Sequence, residues 1–242
     1  MPKYEEIASI IRERISEGVY PVDTKLPVQS NLAKEFGVSR MTIKKAIEIL
    51  TIEGLVFSKQ GNGTKVLDSS FWDKNDAKFR LDSYNGLSKD FKGESVKLTS
   101  QVIEFEVEFP QKEISERLQL DLTTPIYRIV RLRLIDGKPY VIEHTFMPVD
   151  LVPGLDMSVL QSSIYDFLLN QLGLKFAGSY KHITAEMPDA YDKDYLNCNE
   201  ADPILQVEQV LYLENGRPIE YSWSRNRFDT RGYSLLDVKN VG

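Results

Sequence analysis

Apolar residues at helical spacing dominate the first quarter of the chain. They recur every three or four positions in three successive runs, which predicts helices over about 3–17, 26–36 and 40–53. Gly37 separates the second and third runs, because glycine readily adopts the left-handed backbone angles of a helix end. Ser39 is placed to cap the N-terminus of the third helix. The pattern therefore predicts two helices joined by a short turn, with one further helix before them.

Two short β-type runs follow the third helix. Residues 55–58 and 64–67 flank a glycine-rich turn, which predicts a β-hairpin. A glycine tip with Lys59 and Lys65 on its flanks can approach a sugar-phosphate backbone closely. A plain edge hairpin would also use glycine. Three helices followed by such a hairpin is, however, the order of a winged helix-turn-helix domain, which favours DNA binding.

The third predicted helix carries its cations on one side. On a helical wheel its apolar residues share one half, and Arg40, Met41, Lys44 and Lys45 occupy the other. Solvation of an exposed face would explain these cations in an isolated helix. Here the helix is the second of a pair and its cations lie in the first two turns. Such a segment enters the DNA major groove, where Arg and Lys reach guanine acceptors and phosphates.

The remaining chain has a different pattern. Residues 68–94 lack sustained periodicity and are predicted to form a linker, whose part 81–91 docks on the following domain. From residue 95 the pattern becomes α+β and nearly repeats. Each copy has a strand, a short helix and two strands joined by a Gly-basic-Pro hairpin. In the first copy the leading strand is predicted at 97–108 and the helix at 111–118, and in the second copy they are predicted at 180–187 and 192–196. With a helix over 163–172 between them, the copies predict two β-α-β-β units in one antiparallel sheet.

Two arginines stand out in the first repeat. Arg131 and Arg133 alternate with leucines, so they point to one face of their strand. A three-residue loop at 135–137 would place Arg131 opposite Val141 and put Glu143 on the same face, whereas a two-residue turn would send Glu143 to the other face. Two arginines beside an acid can bind a phosphate or carboxylate while the glutamate accepts hydrogen bonds from hydroxyls. A surface salt-bridge cluster is the alternative.

Charge and composition narrow the function. The 242 residues carry a formal net charge of −6, but residues 1–67 hold ten Lys and Arg against eight Asp and Glu, so the head is net +2 and the remainder −8. The acidic total therefore does not argue against nucleic acid for the head. One cysteine, Cys198, excludes an internal disulfide framework. Charges interrupt the apolar residues of the N-terminal segment, so we expect no membrane span and a cytoplasmic protein.

Known catalytic and metal-binding motifs are missing from the sequence. His144 and His182 are the only histidines, lack the flanking pattern of a metal site and are expected to be structural, as is Cys198. Phosphate-cradling and nucleophile-elbow motifs do not occur either. We therefore expect no enzymatic activity, no cofactor and no bound metal.

The head resembles a known family. Residues 25–27, 32–43, 46–50, 53–56 and 61–64 are similar to the DNA-binding head of GntR-family bacterial transcription regulators. The resemblance implies that Arg40 and Thr42 contact phosphate and base edges, that Lys44 reads a base and that the wing tip probes the minor groove. We predict DNA contacts at Tyr4, Gln29, Ser30, Ser39, Arg40, Thr42, Lys44, Lys45, Lys59, Gln60, Gly61, Asn62 and Gly63. The chain departs from the family pattern at Val28-Gln29, Lys44 and Ser58.

The body resembles the effector-binding UTRA domain of the HutC subfamily, which shares the chorismate lyase fold. The matching stretches are 131–134, 142–143, 161–166 and the final hairpin with Glu220 and Arg227. Likeness to repressors of phosphorylated-sugar uptake genes implies a sugar phosphate as effector, although Asn226 stands where those regulators have tyrosine. The predicted effector-binding residues are Ser83, Tyr84, Asn85, Arg131, Arg133, Glu143, Ser163, Tyr165, Glu220 and Arg227. The likeness implies that the first five of these hold the phosphate. It also implies that four residues surround the sugar: Ser163, Tyr165, Glu143 and Glu220.

These observations predict an α+β chain with three parts: a winged helix-turn-helix domain at 1–67, a linker at 68–94 and a UTRA-type effector domain at 95–242. The predicted function is a homodimeric repressor that releases operator DNA when a phosphorylated sugar binds. Two alternatives remain open. One is the same architecture sensing a carboxylate or another non-sugar metabolite, and the other is a chorismate-lyase-like enzyme with a DNA-binding head.

Overall fold

The computed structural model describes residues 2–59, 61–68, 87–91 and 95–233. The chain divides into two compact units. Of the described residues, 2–59 and 61–68 belong to the N-terminal unit, and 87–91 and 95–232 belong to the C-terminal unit. None of the described helices combines the length and the apolar character needed to cross a bilayer.

The N-terminal unit contains the predicted helices. Its described residues form α1 (Lys3–Ser16), α2 (Gln29–Phe36) and α3 (Arg40–Ile52), whose apolar faces pack together around Ile11, Leu32, Ile43 and Leu50. Gly37 ends α2 with a φ of 64°, a left-handed conformation that glycine adopts without strain. The Ser39 side chain accepts a hydrogen bond from the backbone N–H of Thr42 and so caps α3, as predicted.

The predicted wing is an antiparallel hairpin of β1 (Val56–Lys59) and β2 (Gly63–Val66), with Val56 opposite Val66. The segment before α2 adds a third line of hydrogen bonds to this hairpin. Its backbone pairs with the free edge of β2 through Asp23 N–H to Val66 O at 3.0 Å, Val66 N–H to Thr24 O at 2.8 Å and Leu26 N–H to Thr64 O at 2.8 Å. The wing is therefore fixed to the segment that leads into α2 as well as to α3.

The C-terminal unit is built from two β-α-β-β units, as predicted. The first comprises β3 (Leu98–Glu108), α5 (Lys112–Leu118), β4 (Ile126–Ile135) and β5 (Lys138–Pro148), and a short α4 (Leu87–Asp90) precedes it. The second comprises β6 (Phe176–Glu186), α8 (Ala190–Tyr195), β7 (Ile204–Leu213) and β8 (Pro218–Arg227). Within the described residues these strands form one antiparallel sheet in the order β3-β4-β5-β8-β7-β6, so the repeats meet where β5 pairs with β8.

The connection between the repeats differs in detail from the prediction. The helix expected over 163–172 is a short α7 (Ile164–Asp166) followed by a π-helical turn (Phe167–Gln171), and α6 (Met157–Leu160) was not predicted. β6 begins at Phe176, four residues before the predicted start. Gly178 weakens the strand signal in this stretch, since glycine in a strand interior has no side chain to pack.

The hairpin between β4 and β5 overturns the predicted register. Its turn is the two-residue Asp136-Gly137 type, with both residues at positive φ, rather than a three-residue loop. Tyr140 then forms a bulge, so the register shifts by one and Arg131 stands directly opposite Glu143 instead of Val141. The bulge cancels the face change that a two-residue turn alone would cause. Glu143 thus shares a face with both arginines, as predicted, but for a different reason.

Helices cover both faces of the sheet. On one face α6, α7 and the π-helical turn pack on Ile129, Met147 and Leu211. On the other face α5 and α8 cover apolar side chains that include Val130, Ile142 and Tyr221. The side of the sheet that carries Arg131 and Glu143 is the one beneath α6 and α7.

His144 lies on the α8 side of the sheet and is buried. Its ring stacks on Trp223 with 5.2 Å between the ring centroids, and its Nε2 has no hydrogen-bond partner within the described residues. Burial disfavours the imidazolium and lowers the pKa of His144 to about 4. The structure is thus consistent with the expected structural role.

The depressed pKa makes the stability of the effector domain pH-dependent. An unfolded chain protonates His144 near pH 6.5 and the folded chain only near pH 4, so the stabilisation present above pH 6.5 is lost as the pH falls toward 4. We expect the free energy of unfolding to drop by about 2 kcal/mol between pH 7 and pH 5. Urea denaturation followed by tryptophan fluorescence measures this drop. In the variant His144→Phe most of this pH-dependent drop should disappear, whereas substitution of the exposed His182 should leave the drop unchanged.

Candidate DNA interface and effector site

The exposed face of α3 presents the cations predicted to contact DNA. The residues Arg40, Met41, Lys44 and Lys45 are exposed, whereas the opposite face of α3 is buried in the core of the head. Lys44 lies 3.8 Å from Glu48 one turn later, a distance that leaves its ammonium largely solvated. The arrangement leaves the first two turns of α3 accessible to a groove of DNA.

Two pairs of predicted DNA-contacting residues interact within the head. The Lys45 ammonium lies over the Tyr4 ring, 5.6 Å from its centroid, so this cation is positioned by α1. The Thr42 and Ser39 hydroxyls lie 2.9 Å apart at the start of α3. Gln29 and Ser30 occupy the first turn of α2 and are half-buried.

The tip of the wing is exposed. Lys59, Gly61, Asn62 and Gly63 are all open to solvent, and both glycines have positive φ. Gln60 lies outside the described residues. The side chain of Asn62 accepts a hydrogen bond of 2.8 Å from the Lys25 ammonium, a contact that the sequence did not suggest.

The centre of the second candidate site is a buried group of two arginines and one glutamate. Within the described residues Glu143 Oε2 accepts from Arg131 Nη2 at 2.7 Å and lies 3.5 Å from Arg133 Nη1. Arg131 and Arg133 are only 5% and 4% exposed. Burial raises the pKa of Glu143, but the charges of both arginines outweigh this and hold it below its ordinary value. Burial lowers the pKa of the Arg131 guanidinium.

Both guanidinium groups have unused donors. Arg131 Nη1 donates to the Leu160 carbonyl at 3.0 Å, and Arg133 Nη2 donates to Ser88 Oγ at 3.2 Å. The Nε–H groups of both arginines are buried and make no hydrogen bond to any described residue. Two positive charges thus share one negative charge and leave two donors unpaired, an arrangement that an anion would complete.

A second polar group lies on the same face of the sheet, closer to the second repeat. Glu220 Oε1 accepts from the Tyr165 hydroxyl at 3.0 Å, from Gln209 Nε2 at 3.1 Å and from the Ser222 hydroxyl at 2.6 Å. Burial raises the pKa of both Glu220 and Tyr165. These hydroxyl, amide and carboxyl groups offer both donors and acceptors, which suits the hydroxyl groups of a sugar.

Not all predicted effector-binding residues join these two groups. Ser163 caps α7 by accepting from the backbone N–H of Asp166 at 3.2 Å. Arg227 pairs with Ile204, points to the opposite face of the sheet and binds Asp229 at 2.6 Å. The structure therefore does not bring Arg227 to Arg131 and Glu143. Ser83, Tyr84 and Asn85 lie outside the described residues.

Several polar residues of the site were missed. Gln209 and Ser222 touch Glu220, Ser88 touches Arg133, and the buried Asn226 lies on the same sheet face with an Oδ1 that has no partner among the described residues. Alternating polar residues in β8 give a signal for Ser222 and Asn226, because they share a strand face with Glu220. Ser88 has no such signal, since the sequence around it lacks periodicity.

Comparison with known proteins agrees with this architecture. Residues 3–66 match the family described as bacterial regulatory proteins, gntR family, and residues 93–230 match the UTRA domain. The chain is 45% identical over 239 residues to the HTH-type transcriptional regulator GmuR of Bacillus subtilis, covering 99% of this chain and 100% of the relative. It is 33% identical to the mannosyl-D-glycerate transport/metabolism system repressor MngR of Escherichia coli, covering 97% and 94%.

A solved structure has the same arrangement. The crystal structure of the possible transcriptional regulator YydK of Bacillus subtilis superimposes with a TM-score of 0.82 and 29% sequence identity, and the match covers 98% of this chain and 100% of that chain. The head, the antiparallel sheet and the family matches support one conclusion. The chain belongs to the GntR family of bacterial regulatory proteins, in the HutC-type group with a UTRA domain, and is a DNA-binding transcription regulator.

Proposed function

We propose that this regulator is a homodimeric repressor that acts in the cytoplasm and releases its operator when a small phosphorylated sugar binds the UTRA domain. In this proposal residues 1–67 bind DNA, 68–94 link the parts and 95–242 bind the effector. The observation that carries it is the pair of buried arginines beside Glu143, whose Nε–H groups have no hydrogen-bond partner among the described residues. A phosphate supplies the missing negative charge and the acceptors.

The second polar group supports the sugar part of the proposal. Glu220, Tyr165, Gln209 and Ser222 lie on the same sheet face as Arg131, on the strands of the other repeat and on α7. A ligand with an anion at one end and hydroxyl groups at the other matches both groups. The relative MngR is described as a mannosyl-D-glycerate transport/metabolism system repressor, and a mannosyl group is a sugar.

A sugar carboxylate is the second candidate effector. Arginine binds carboxylate and phosphate through the same fork of donors, so the arginine pair suits either anion. The relative MngR is described as the repressor of a mannosyl-D-glycerate system, and a glycerate carries a carboxylate. Phosphate, with its higher charge, would gain more from the two guanidinium groups, whereas the acidic net charge of the body opposes either anion at long range.

Regulation follows from linkage between the two binding events. A two-fold operator requires two heads, which a homodimer supplies. A ligand that favours one arrangement of the heads changes the affinity for DNA. By linkage, DNA changes the affinity for the ligand by the same factor. We therefore expect effector binding to weaken operator binding and operator DNA to weaken effector binding equally.

The test measures operator binding during titration with three ligand classes. The classes are phosphorylated sugars, the same sugars without phosphate and the corresponding sugar carboxylates. We expect release only with the phosphorylated compounds. Release by carboxylates alone would support the second candidate, and no response to any phosphorylated compound would refute the proposed effector.

A further inference from the structure

Among the described residues 61–63, the tip of the wing presents one polar side chain, that of Asn62. Asn62 is exposed, and the glycines on either side of it carry no Cβ. The backbone N–H of Asn62 donates to the Lys59 carbonyl at 3.0 Å, which closes the turn. The DNA minor groove is about 6 Å wide, half the width of the major groove, so a narrow element reaches its floor most easily. A glycine-flanked tip is narrow enough to bring one side chain to the floor of that groove.

Lys25 determines which end of the Asn62 amide faces outward. Its ammonium donates to Asn62 Oδ1 at 2.8 Å. Because an ammonium has three donors and no acceptor, the amide must turn its oxygen toward Lys25 and its NH₂ group away. The backbone of residues 23–26 holds Lys25 in place, since it pairs with β2 through three hydrogen bonds of 2.8–3.0 Å. Asn62 is therefore presented as a hydrogen-bond donor.

A fixed donor discriminates between base pairs in the minor groove. A·T and T·A pairs show only acceptors there, adenine N3 and thymine O2, whereas G·C adds the 2-amino donor of guanine. An amide NH₂ can donate to the first two acceptors. Opposite the guanine 2-amino group, the Asn62 amide NH₂ would face another donor, and neither donor would have an acceptor.

We propose that Lys25 positions Asn62 as a minor-groove donor, so that the wing selects an A·T base pair at the place it contacts in each operator half-site. Lys25 is a positioning residue in this account, and Asn62 makes the contact. The inference depends on DNA binding by the head and is independent of which effector the UTRA domain binds. Its failure would leave the proposed effector response untouched.

Base substitutions in an operator test whether the wing contacts the bases through the minor groove. The operator is first selected from a random duplex library with the full-length protein, and the position under the wing is then made A·T, G·C or inosine·C. Inosine lacks the 2-amino group, so inosine·C has the major-groove edge of G·C and the minor-groove edge of A·T. We expect A·T and inosine·C to bind alike and G·C to bind about fivefold or more weakly. The proposal would be overturned if the inosine·C duplex bound as weakly as the G·C duplex, or if the A·T duplex were not preferred.

Variants separate positioning from simple charge. Asn62→Ala and Lys25→Met should both lose the discrimination between the three duplexes, and Lys25→Arg, which also only donates, should keep it. Lys65→Met is the matched control, because Lys65 lies on the same wing but binds Asp23 at 2.7 Å. It should change the affinity for all three duplexes equally. Full discrimination in Lys25→Met would show that Lys25 does not position Asn62, and full discrimination in Asn62→Ala would refute the contact.

Discussion

Replacement of Arg131 by methionine should abolish effector-dependent release of operator DNA while leaving operator affinity without effector nearly unchanged. The variant removes a buried guanidinium whose Nε–H has no partner among the described residues, and it leaves Glu143 paired with Arg133, so the charges in the folded domain remain balanced. Loss of one buried charged contact is worth about 2 kcal/mol or more, so effector affinity should fall at least about 30-fold. Calorimetric titration with the effector found in the ligand panel measures this loss.

Arg227 provides the control for this experiment. It is an arginine of the same domain that was also predicted to bind effector, but it lies on the opposite face of the sheet and binds Asp229. Arg227→Met should therefore bind effector within about twofold of the parent protein, since removal of an exposed ion pair has little effect. Equal losses in the two variants, or normal effector affinity in Arg131→Met, would contradict the assignment of the anion site.

Replacement of Glu143 by glutamine should destabilise the effector domain strongly. It would leave two guanidinium groups that are only 5% and 4% exposed without the carboxylate that they share. Removing one partner of a buried ion pair costs about 3–5 kcal/mol. Urea denaturation at pH 7, followed by tryptophan fluorescence, measures the free energy of unfolding. Because the pKa of Glu143 is depressed, its stabilisation in the parent protein is present at neutral pH and is lost as the pH falls below about 4.5.

Anions distinguish the charge effect from a simple packing defect. Inorganic phosphate should restore much of the stability of Glu143→Gln, since it replaces the lost charge, and should stabilise the parent protein less. Glu200→Gln, at a side chain that is 90% exposed, should change stability by less than about 0.5 kcal/mol. An unaltered Glu143→Gln variant would mean that the two arginines are neutralised by other groups.

The head was predicted from its sequence almost completely because its signals are local. The end of α2 at Gly37, the cap at Ser39 and the buried face of α3 each depend on residues within one or two turns. The contact between Lys25 and Asn62, which are far apart in the sequence, was not predictable in this way. It depends on the pairing of residues 23–26 with an edge of the wing.

The body shows where local signals fail. The shared face of Arg131 and Glu143 was predicted from an incorrect turn, because a bulge at Tyr140 replaced the extra loop residue and restored the same parity. Bulges leave no distinct mark in a single sequence. The role of Arg227 was assigned by resemblance alone, and the alternation of β8 places it on the far side of the sheet from Glu220.

The two halves of the sheet share a backbone plan but differ in the charges they carry on one face. The second repeat carries the same bulge, at Ile219, so Gln209 and Ser222 occupy the positions that Arg131 and Glu143 occupy in the first. The backbone would accept a ligand in either of two orientations related by its internal symmetry. On this face the described strand arginines, Arg131 and Arg133, belong to the first repeat, whereas Arg225 and Arg227 of the second repeat point to the opposite face. Under the proposed function, an elongated ligand with one charged end would therefore bind in a single polarity.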